Sequence, residues 1–352
     1  MKKIVLTGGG TAGHIMPHIA LLPQLNKHFN QVHYIGSENG LEKTLMANYN
    51  VNYTSVTTTK LQRRFTFKNF LIPFKLIKGI RQAKKHLKKI KPNIVFSKGG
   101  FVSVPVVIAA KRLKIPVVSH ESDITLGLAN KIIYKYSKAM CVSFERTLLQ
   151  VKKRGVFTGS AIRPQIFKGN KEKIINKYNL DQNKQTILFV GGSLGAKSIN
   201  EHVFMCAKKL LKNYNILHIT GKNNVNKQLL NLKNYVQVEF LQNIQDFYAT
   251  SDLVISRAGS NVIFELLALK KPMLLIPLSK QSSRGDQILN AKYFFQKGFA
   301  RILYQENLST KTLQTKIFQT LNTKSALVTN MTSITETSGN QNILNQILKF
   351  SN

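Results

Sequence analysis

Three times in this chain a short apolar run empties into a glycine-rich turn that opens a helical stretch. The first is Ile4-Val5-Leu6, followed by Thr7-Gly8-Gly9-Gly10-Thr11-Ala12-Gly13-His14. The second is Ile187-Leu188-Phe189-Val190, followed by Gly191-Gly192-Ser193-Leu194-Gly195-Ala196. The third is Leu253-Val254-Ile255-Ser256, followed by Arg257-Ala258-Gly259-Ser260-Asn261. A strand that runs through glycines straight into a helix is the βα half of a parallel βαβ unit. The helix that starts there has unpaired N–H groups and a partial positive charge, so each turn is a ready anion cradle.

The same alternation fills the rest of the chain. Strands are expected at Lys3–Thr7, Gln31–Ile35, Ile94–Ser97, Val117–Ser119 and Ala139–Val142. After a polar stretch rich in Lys and Asn (167–184), a second series is expected at Thr186–Val190, Ile216–Thr220, Val236–Phe240, Leu253–Ser256 and Met273–Ile276. The fold class is therefore α/β, as two Rossmann-like domains whose parallel sheets face each other across a cleft. The expected domains are 1–163 and 164–335, with a last helical segment, 336–352. In that segment Ile343, Leu344, Ile347 and Leu348 share one face, which suits packing on either domain.

With 352 residues and 43% hydrophobic content, the chain has enough apolar material for two cores. Its 52 Lys and Arg against 15 Asp and Glu give a net charge of +37. Such a field attracts nucleic acid, anionic lipid or phosphorylated substrates, and does not choose among them. Abundant Lys, Asn and Ile also fit a plain compositional bias. No zinc-finger, RNP or helix-turn-helix pattern accompanies the charge, so nucleic acid is not an expected partner. Cys141 and Cys206 form no C-x-x-C pair and read as buried thiols in a reducing cytoplasm. The apolar run after Met1-Lys2-Lys3 is too short for a signal peptide, and no run is long enough to span a bilayer, so membrane contact is expected to be peripheral.

The scarcity of acids narrows the chemistry. There is no D-x-D and no metal-ligand spacing, so neither a metal nor another cofactor is expected. A leaving diphosphate would be steadied by backbone amides, helix dipoles and cations. Gly8-x-Gly10-x-x-Gly13 also matches a dinucleotide fingerprint. That reading wants an acid at the end of strand two, where Tyr34-Ile35-Gly36-Ser37 stands and Glu38 follows. His14 closes the first turn as a general base, a diphosphate contact or a local cap. His120-Glu121-Ser122-Asp123 lies at a strand's carboxyl end, where α/β sites form, so Glu121 and Asp123 join His14 as catalytic candidates. Ser193 adds a hydroxyl to the second cradle. Glu265, in the helix after the third turn, suits a ribose diol or simply faces solvent. Asp286 and Gln287 stand where they cap a helix or meet a sugar. His18, after Pro17, reads as structural.

Residues 60–91 contain twelve basic residues, from Lys60 to Lys91, and no acid. Phe65, Phe67, Phe70, Phe74, Ile77 and other apolar groups are interleaved with them. Cations beside bulky apolar groups suit an anionic bilayer surface, although the apolar side equally suits ordinary core.

Six motifs now stand in order along the chain: Gly8–His14, Ser97–Pro105, His120–Ser122, Gly191–Gly195, Ser256–Gly259 and Asp286–Ala291. Together they resemble the MurG family of bacterial glycosyltransferases over nearly the whole length. The resemblance implies a GT-B fold and an inverting, metal-independent transfer of N-acetylglucosamine. The donor would be UDP-N-acetylglucosamine. The acceptor would be lipid I, the undecaprenyl-pyrophosphoryl-N-acetylmuramyl-pentapeptide, and the product lipid II. It implies donor contacts at Arg163 and Ser193 (diphosphate), Leu241 and Ser260 (uracil), Glu265 (ribose) and Gln287 (sugar). Acceptor contacts would be Gly10, Thr11, Ala12, Gly13, His14 and Phe101. It also places the final helix on the N-terminal domain and the enzyme on the cytoplasmic face of the membrane, with cell-wall synthesis and division proteins as possible partners. The chain departs from the family pattern at Asp123, where Asn is common, at Phe101, where Tyr is common, and at Asp286, where Gln is common. A UDP-sugar epimerase of similar two-domain build and a nucleic-acid-binding protein are the competing readings.

Overall fold

Ile4, Val5 and Leu6 are fully buried in β1 (Lys3–Gly8), as a strand covered by helices on both faces must be. The computed structural model describes residues 1–59, 72–191, 195–241, 243–334 and 338–351. In its first sheet β1 is followed by β2 (Gln31–Ser37), β3 (Asn52–Val56), β4 (Ile94–Gly99), β5 (Val117–Glu121), β6 (Ala139–Val142) and β7 (Gly155–Phe157). All pairings are parallel, in the order β3-β2-β1-β4-β5-β6-β7. The second sheet comprises β8 (Gln185–Val190), β9 (Tyr214–Ile219), β10 (Tyr235–Val238), β11 (Leu253–Ser256), β12 (Met273–Leu275) and β13 (Ala300–Ile302). It too is parallel, in the order β10-β9-β8-β11-β12-β13. Both sheets thus reverse direction once, between β1 and β4 and between β8 and β11. That switch point is where an open α/β sheet leaves a crevice at its strands' carboxyl ends.

The chain divides into two compact units, one of Met1–Arg163 with Ser338–Asn352 and one of Pro164–Thr337. The last helix, Asn340–Lys349, buries Ile343, Leu344 and Ile347 in the same core as Ile19, Leu22 and Leu25 of the helix Met16–His28. Asn340 locks it there, its side chain accepting from the Ile162 N–H and donating to the Ile162 carbonyl, both at 2.8 Å. Three strands, β3, β7 and β13, were not anticipated, and each lies at a sheet edge. β10 also ends at Val238, short of the expected Phe240, which is 60% exposed.

The basic segment is described from residue 72 onward, and 60–71 lies outside the described residues. Residues 72–90 form one helix. Ile80, Ala83, Leu87 and Ile90 are core, whereas Phe74 is 72% and Ile77 48% exposed. Its apolar residues therefore serve two surfaces. Among the described residues no helix is long and apolar enough to cross a membrane. Both cysteines are free and buried.

Candidate active site

In the first unit the switch point gathers the ends of β1, β4 and β5. The loop after β1 and the loop after β4 interlock through glycines. Gly10 (φ +86°) has the Phe101 ring 2.5 Å from where a Cβ would stand, and Gly100 (φ +79°) has the Gly9 carbonyl at 2.3 Å. Phe101 thus braces the first loop with its ring, a contact that needs no hydroxyl. Gly10, Thr11 and Gly13 are exposed along the crevice rim, and Ala12 and His14 are half-buried. Reasoning from sequence passed over Glu42, a fully buried carboxylate beneath this loop. It accepts from the Ser37 N–H at 3.0 Å and hydroxyl at 2.5 Å, and more weakly from the Gly10 N–H at 3.4 Å. On the six-residue helix Leu41–Met46 it reads from sequence as a solvent-facing acid.

Lys98, also passed over, lies at the end of β4 and is 2% exposed. Its Nζ bonds His120 Nδ1 and Ser122 Oγ. Burial pulls the Lys98 pKa down to about 8, against the charges of Glu121 and Asp123. His120 Nε2 meets the Gly159 carbonyl at 3.1 Å, so this nitrogen carries the proton and Nδ1 offers a lone pair to Lys98. Burial, then the Lys98 charge, holds His120 well below the usual imidazole range, so it is neutral. Both of its nitrogens are committed.

Glu121 is buried at the end of β5. Its carboxylate accepts from the Asp123 N–H and the Gly127 N–H, each at 3.0 Å, and from the Asn130 amide at 2.9 Å. Burial raises its pKa. Three donors on two oxygens make Glu121 the anchor of the 121–127 turn, which argues against its use as a mobile base. Asp123 and His14, by contrast, are half-buried at the crevice.

In the second unit the switch point joins the loops after β8 and β11. Gly195 (φ +78°) lies so close to the Thr220 carbonyl that a Cβ would meet it at 2.3 Å. The helix Lys197–Leu210 then starts beside the glycine turn. Gly192, Ser193 and Leu194 lie outside the described residues. Arg257 ties this crevice together, donating to Ser198 Oγ at 3.0 Å and to the Ile276 carbonyl at 3.1 Å. Burial lowers its pKa to about 10, so it remains cationic at neutral pH. The helix Ser260–Ala268 carries Ser260 and Glu265, both buried, at 8% and 6% exposure. Asn290 donates to the Ala258 carbonyl at 3.2 Å, fastening the helix Asp286–Gln296 to this loop. Gln287 accepts the Leu278 N–H at 3.1 Å, which directs its amide nitrogen to any other partner. Asp286 is the first residue of that helix, after Gly285 at the cap position, and pairs with Arg284 at 2.7 Å. Leu241 and Arg163 are half-buried. Among the described residues no group of three His, Cys, Asp or Glu could hold a metal ion.

Two switch-point crevices rich in backbone donors, one on each unit, are what a nucleotide-sugar transferase of two Rossmann-like halves requires. The N-terminal domain of glycosyltransferase family 28 matches residues 4–142, and the family's C-terminal domain matches residues 186–347. The chain belongs to glycosyltransferase family 28. A Clostridium botulinum (strain Loch Maree / Type A3) member is 49% identical over 352 residues, with 99% of each chain covered. A Clostridium tetani member is 48% identical over 351 residues, covering 99% of this chain and 98% of that one. Both are named UDP-N-acetylglucosamine–N-acetylmuramyl-(pentapeptide) pyrophosphoryl-undecaprenol N-acetylglucosamine transferase. Among solved structures, Acinetobacter baumannii MurG superposes with a TM-score of 0.78 at 26% identity, covering 99% of this chain and 100% of that one. The family member therefore has the GT-B type of fold. A Neisseria meningitidis UDP-GlcNAc 2-epimerase also superposes, with a TM-score of 0.67 over 99% of each chain, but at 16% identity this likeness shows shared fold alone.

Proposed function

We infer that this chain transfers N-acetylglucosamine from UDP-N-acetylglucosamine to lipid I, making lipid II for peptidoglycan synthesis. The observation that carries the reading is near-half identity over the full length to enzymes named for that transfer. The epimerase reading rests on fold alone and has no such support.

In the proposed reaction the acceptor's C4 hydroxyl oxygen attacks the anomeric carbon from the face opposite UDP, inverting it. The bond from that carbon to the diphosphate oxygen breaks, and its electron pair leaves with UDP. The hydroxyl proton goes to a base on the first unit. His14 suits that role, being half-buried beside the exposed Gly10, Thr11 and Gly13, which would take the acceptor diphosphate. Asp123 stands where the family pattern often has Asn, which cannot accept the proton, so its charge is assigned to acceptor orientation. The Gly191–Ala196 turn with Ser193 and the start of the helix Lys197–Leu210, on the second unit, together with Arg163 at the end of the first, would steady the departing diphosphate without a metal. Ser260 and Leu241 would meet the uracil, Glu265 the ribose hydroxyls and the Gln287 amide the sugar. Arg163→Ala should slow turnover by about 10²–10³-fold, and normal turnover would remove Arg163 from the mechanism.

The helix Ile72–Ile90 is proposed as the membrane contact on the cytoplasmic face. Exposed Phe74 and Ile77 project among exposed Lys75, Lys78 and Arg81. Each cation near an anionic surface contributes about 1 kcal/mol. Contacts with cell-wall synthesis and division proteins belong to the same proposal.

The test is UDP release from UDP-N-acetylglucosamine, with and without a soluble lipid I analogue. Acceptor-dependent release that persists in EDTA supports both the transfer and its metal independence. UDP-sugar isomerisation without acceptor would replace it with the epimerase.

A further inference from the structure

Among the described residues Lys98 is the one lysine or arginine that is buried, and the reaction above gives it no part. Its Cβ lies beside the end of β1, where the first glycine loop begins, 3.3 Å from where a Cβ on Gly8 would stand. Both of its hydrogen-bond partners, His120 Nδ1 and Ser122 Oγ, are uncharged. The nearby Glu121 carboxylate is satisfied by the N–H groups of Asp123 and Gly127 and by the amide of Asn130. An ammonium buried with neutral hydrogen-bond partners, and balanced only through space by Glu121 and Asp123, costs stability that an apolar side chain of the same length would not. The charge therefore calls for a use, and the anion cradle that begins at Gly8 supplies one.

We propose that Lys98 is a positioning residue for the acceptor: its buried ammonium gives the first unit's crevice a positive charge that holds the acceptor's diphosphate in the loop Gly10–His14. The inference rests on the transferase reading. Lys98 touches no substrate and acts through its field and through the His120–Asp123 strand end.

The groups facing Lys98 are His18, His120, Glu121, Asp123 and Cys141. Burial holds His18 down to about 3 and His120 well below the usual range, so both stay neutral from pH 7 to 9. Burial holds Cys141 up to about 12, so it stays protonated. Glu121 and Asp123 supply the opposing charge. Lys98, brought down to about 8, loses its proton within that window, and the crevice loses its cation. A bound diphosphate opposes that loss, so acceptor affinity should fall as pH rises. The diphosphate of lipid I is a diester and has no proton of its own to lose there.

The experiment measures KM for a soluble lipid I analogue and for UDP-N-acetylglucosamine from pH 7 to 9, on the full chain and on Lys98→Met. In the unaltered protein the acceptor KM should rise about tenfold across that range, with the donor KM steady. Lys98→Met should have an acceptor KM raised about tenfold at pH 7 and flat with pH and a donor KM within about twofold, whatever stability is lost by leaving His120 Nδ1 without its donor. Ser122→Ala removes one acceptor from the ammonium and should move the midpoint of the pH profile downward. A Lys98→Met profile that still rises with pH overturns the proposal. So does a joint rise of both KM values, and so does an unmoved midpoint in Ser122→Ala. Absence of any acceptor-dependent UDP release in the unaltered protein would overturn the transferase reading, and Lys98 with it.

Discussion

At the switch point of the first unit the strand ends and the residues after them carry Lys98, His120, Glu121 and Asp123, three of them buried. At the switch point of the second unit they carry glycine, serine and alanine, with Arg257 as the cation. The sheets are built alike and the crevices are furnished differently. In the account above, the first crevice must orient a diphosphate and accept a proton, which takes titratable groups with controlled charge. The second must hold a leaving group whose charge only grows, which backbone N–H groups, a helix start and an arginine can do without changing protonation. The contrast is between a crevice tuned for proton chemistry and one tuned for anion binding.

The largest expected effect tests the proton chemistry. His14→Ala should lower kcat by about 10²–10⁴-fold while the KM for UDP-N-acetylglucosamine stays near its starting value, as steady-state UDP release will show. A rise in donor KM with kcat intact would place His14 with the donor and break the contrast.

Next is the anion-binding side. Glu265→Ala should raise the donor KM by about 10–100-fold, the loss expected when the ribose hydroxyls lose the charged group that accepts their hydrogen bonds, with little change in the acceptor KM. An unchanged donor KM would return Glu265 to a structural role.

A smaller effect separates anchoring from catalysis. Glu121→Gln keeps the shape but leaves one oxygen to serve three donors, so it should cost about 1–3 kcal/mol in urea unfolding. The shape of the kcat pH profile should persist, because Glu121 is not the base. A lost limb in that profile would make it one.

The smallest effect is a difference in acid stability between the units. Burial depresses the pKa of His18 to about 3, of His120 well below the usual range and of His218 to about 3. The unfolded chain takes up these protons near pH 6.5 and the folded chain does not. Stability from these groups is therefore complete above that pH and falls as pH drops, by about 1.4 kcal/mol per pH unit for each histidine. Two of the three lie in the first unit. Glu121, whose pKa burial raises, binds its proton earlier in the folded chain and offsets part of that loss. Hydrogen exchange at pH 7 and pH 5 should show the first unit losing more protection than the second, and equal losses would contradict the assignment.

The central strands were legible because a parallel strand buried on both faces leaves an unbroken apolar run, as in Ile4-Val5-Leu6 and Ile187-Leu188-Phe189. The strands that escaped are edges. β3 is mostly half-buried or exposed, and β7 and β13 have three residues each, so none leaves a run to read. The glycine turns were legible for a local reason, since a strand-to-helix turn at close backbone approach excludes a Cβ. Lys98 and Glu42 were not, because nothing within a few residues tells a buried charge from a solvated one. His120 and Ser122 lie 22 and 24 residues from Lys98, and the loop above Glu42 lies 32 residues from it. Asp286 shows the same limit: its position predicts a helix cap, whereas Gly285 holds the cap position and Asp286 pairs with Arg284.

The division of labour between the crevices is tested most directly by hydrogen exchange of the full chain with saturating UDP-N-acetylglucosamine and no acceptor. Added protection is expected in residues 190–200 and 256–268 and around Gln287, with the loops 8–14 and 97–103 unchanged. Protection centred on the loops 8–14 and 97–103 would put the donor in the first unit and contradict it.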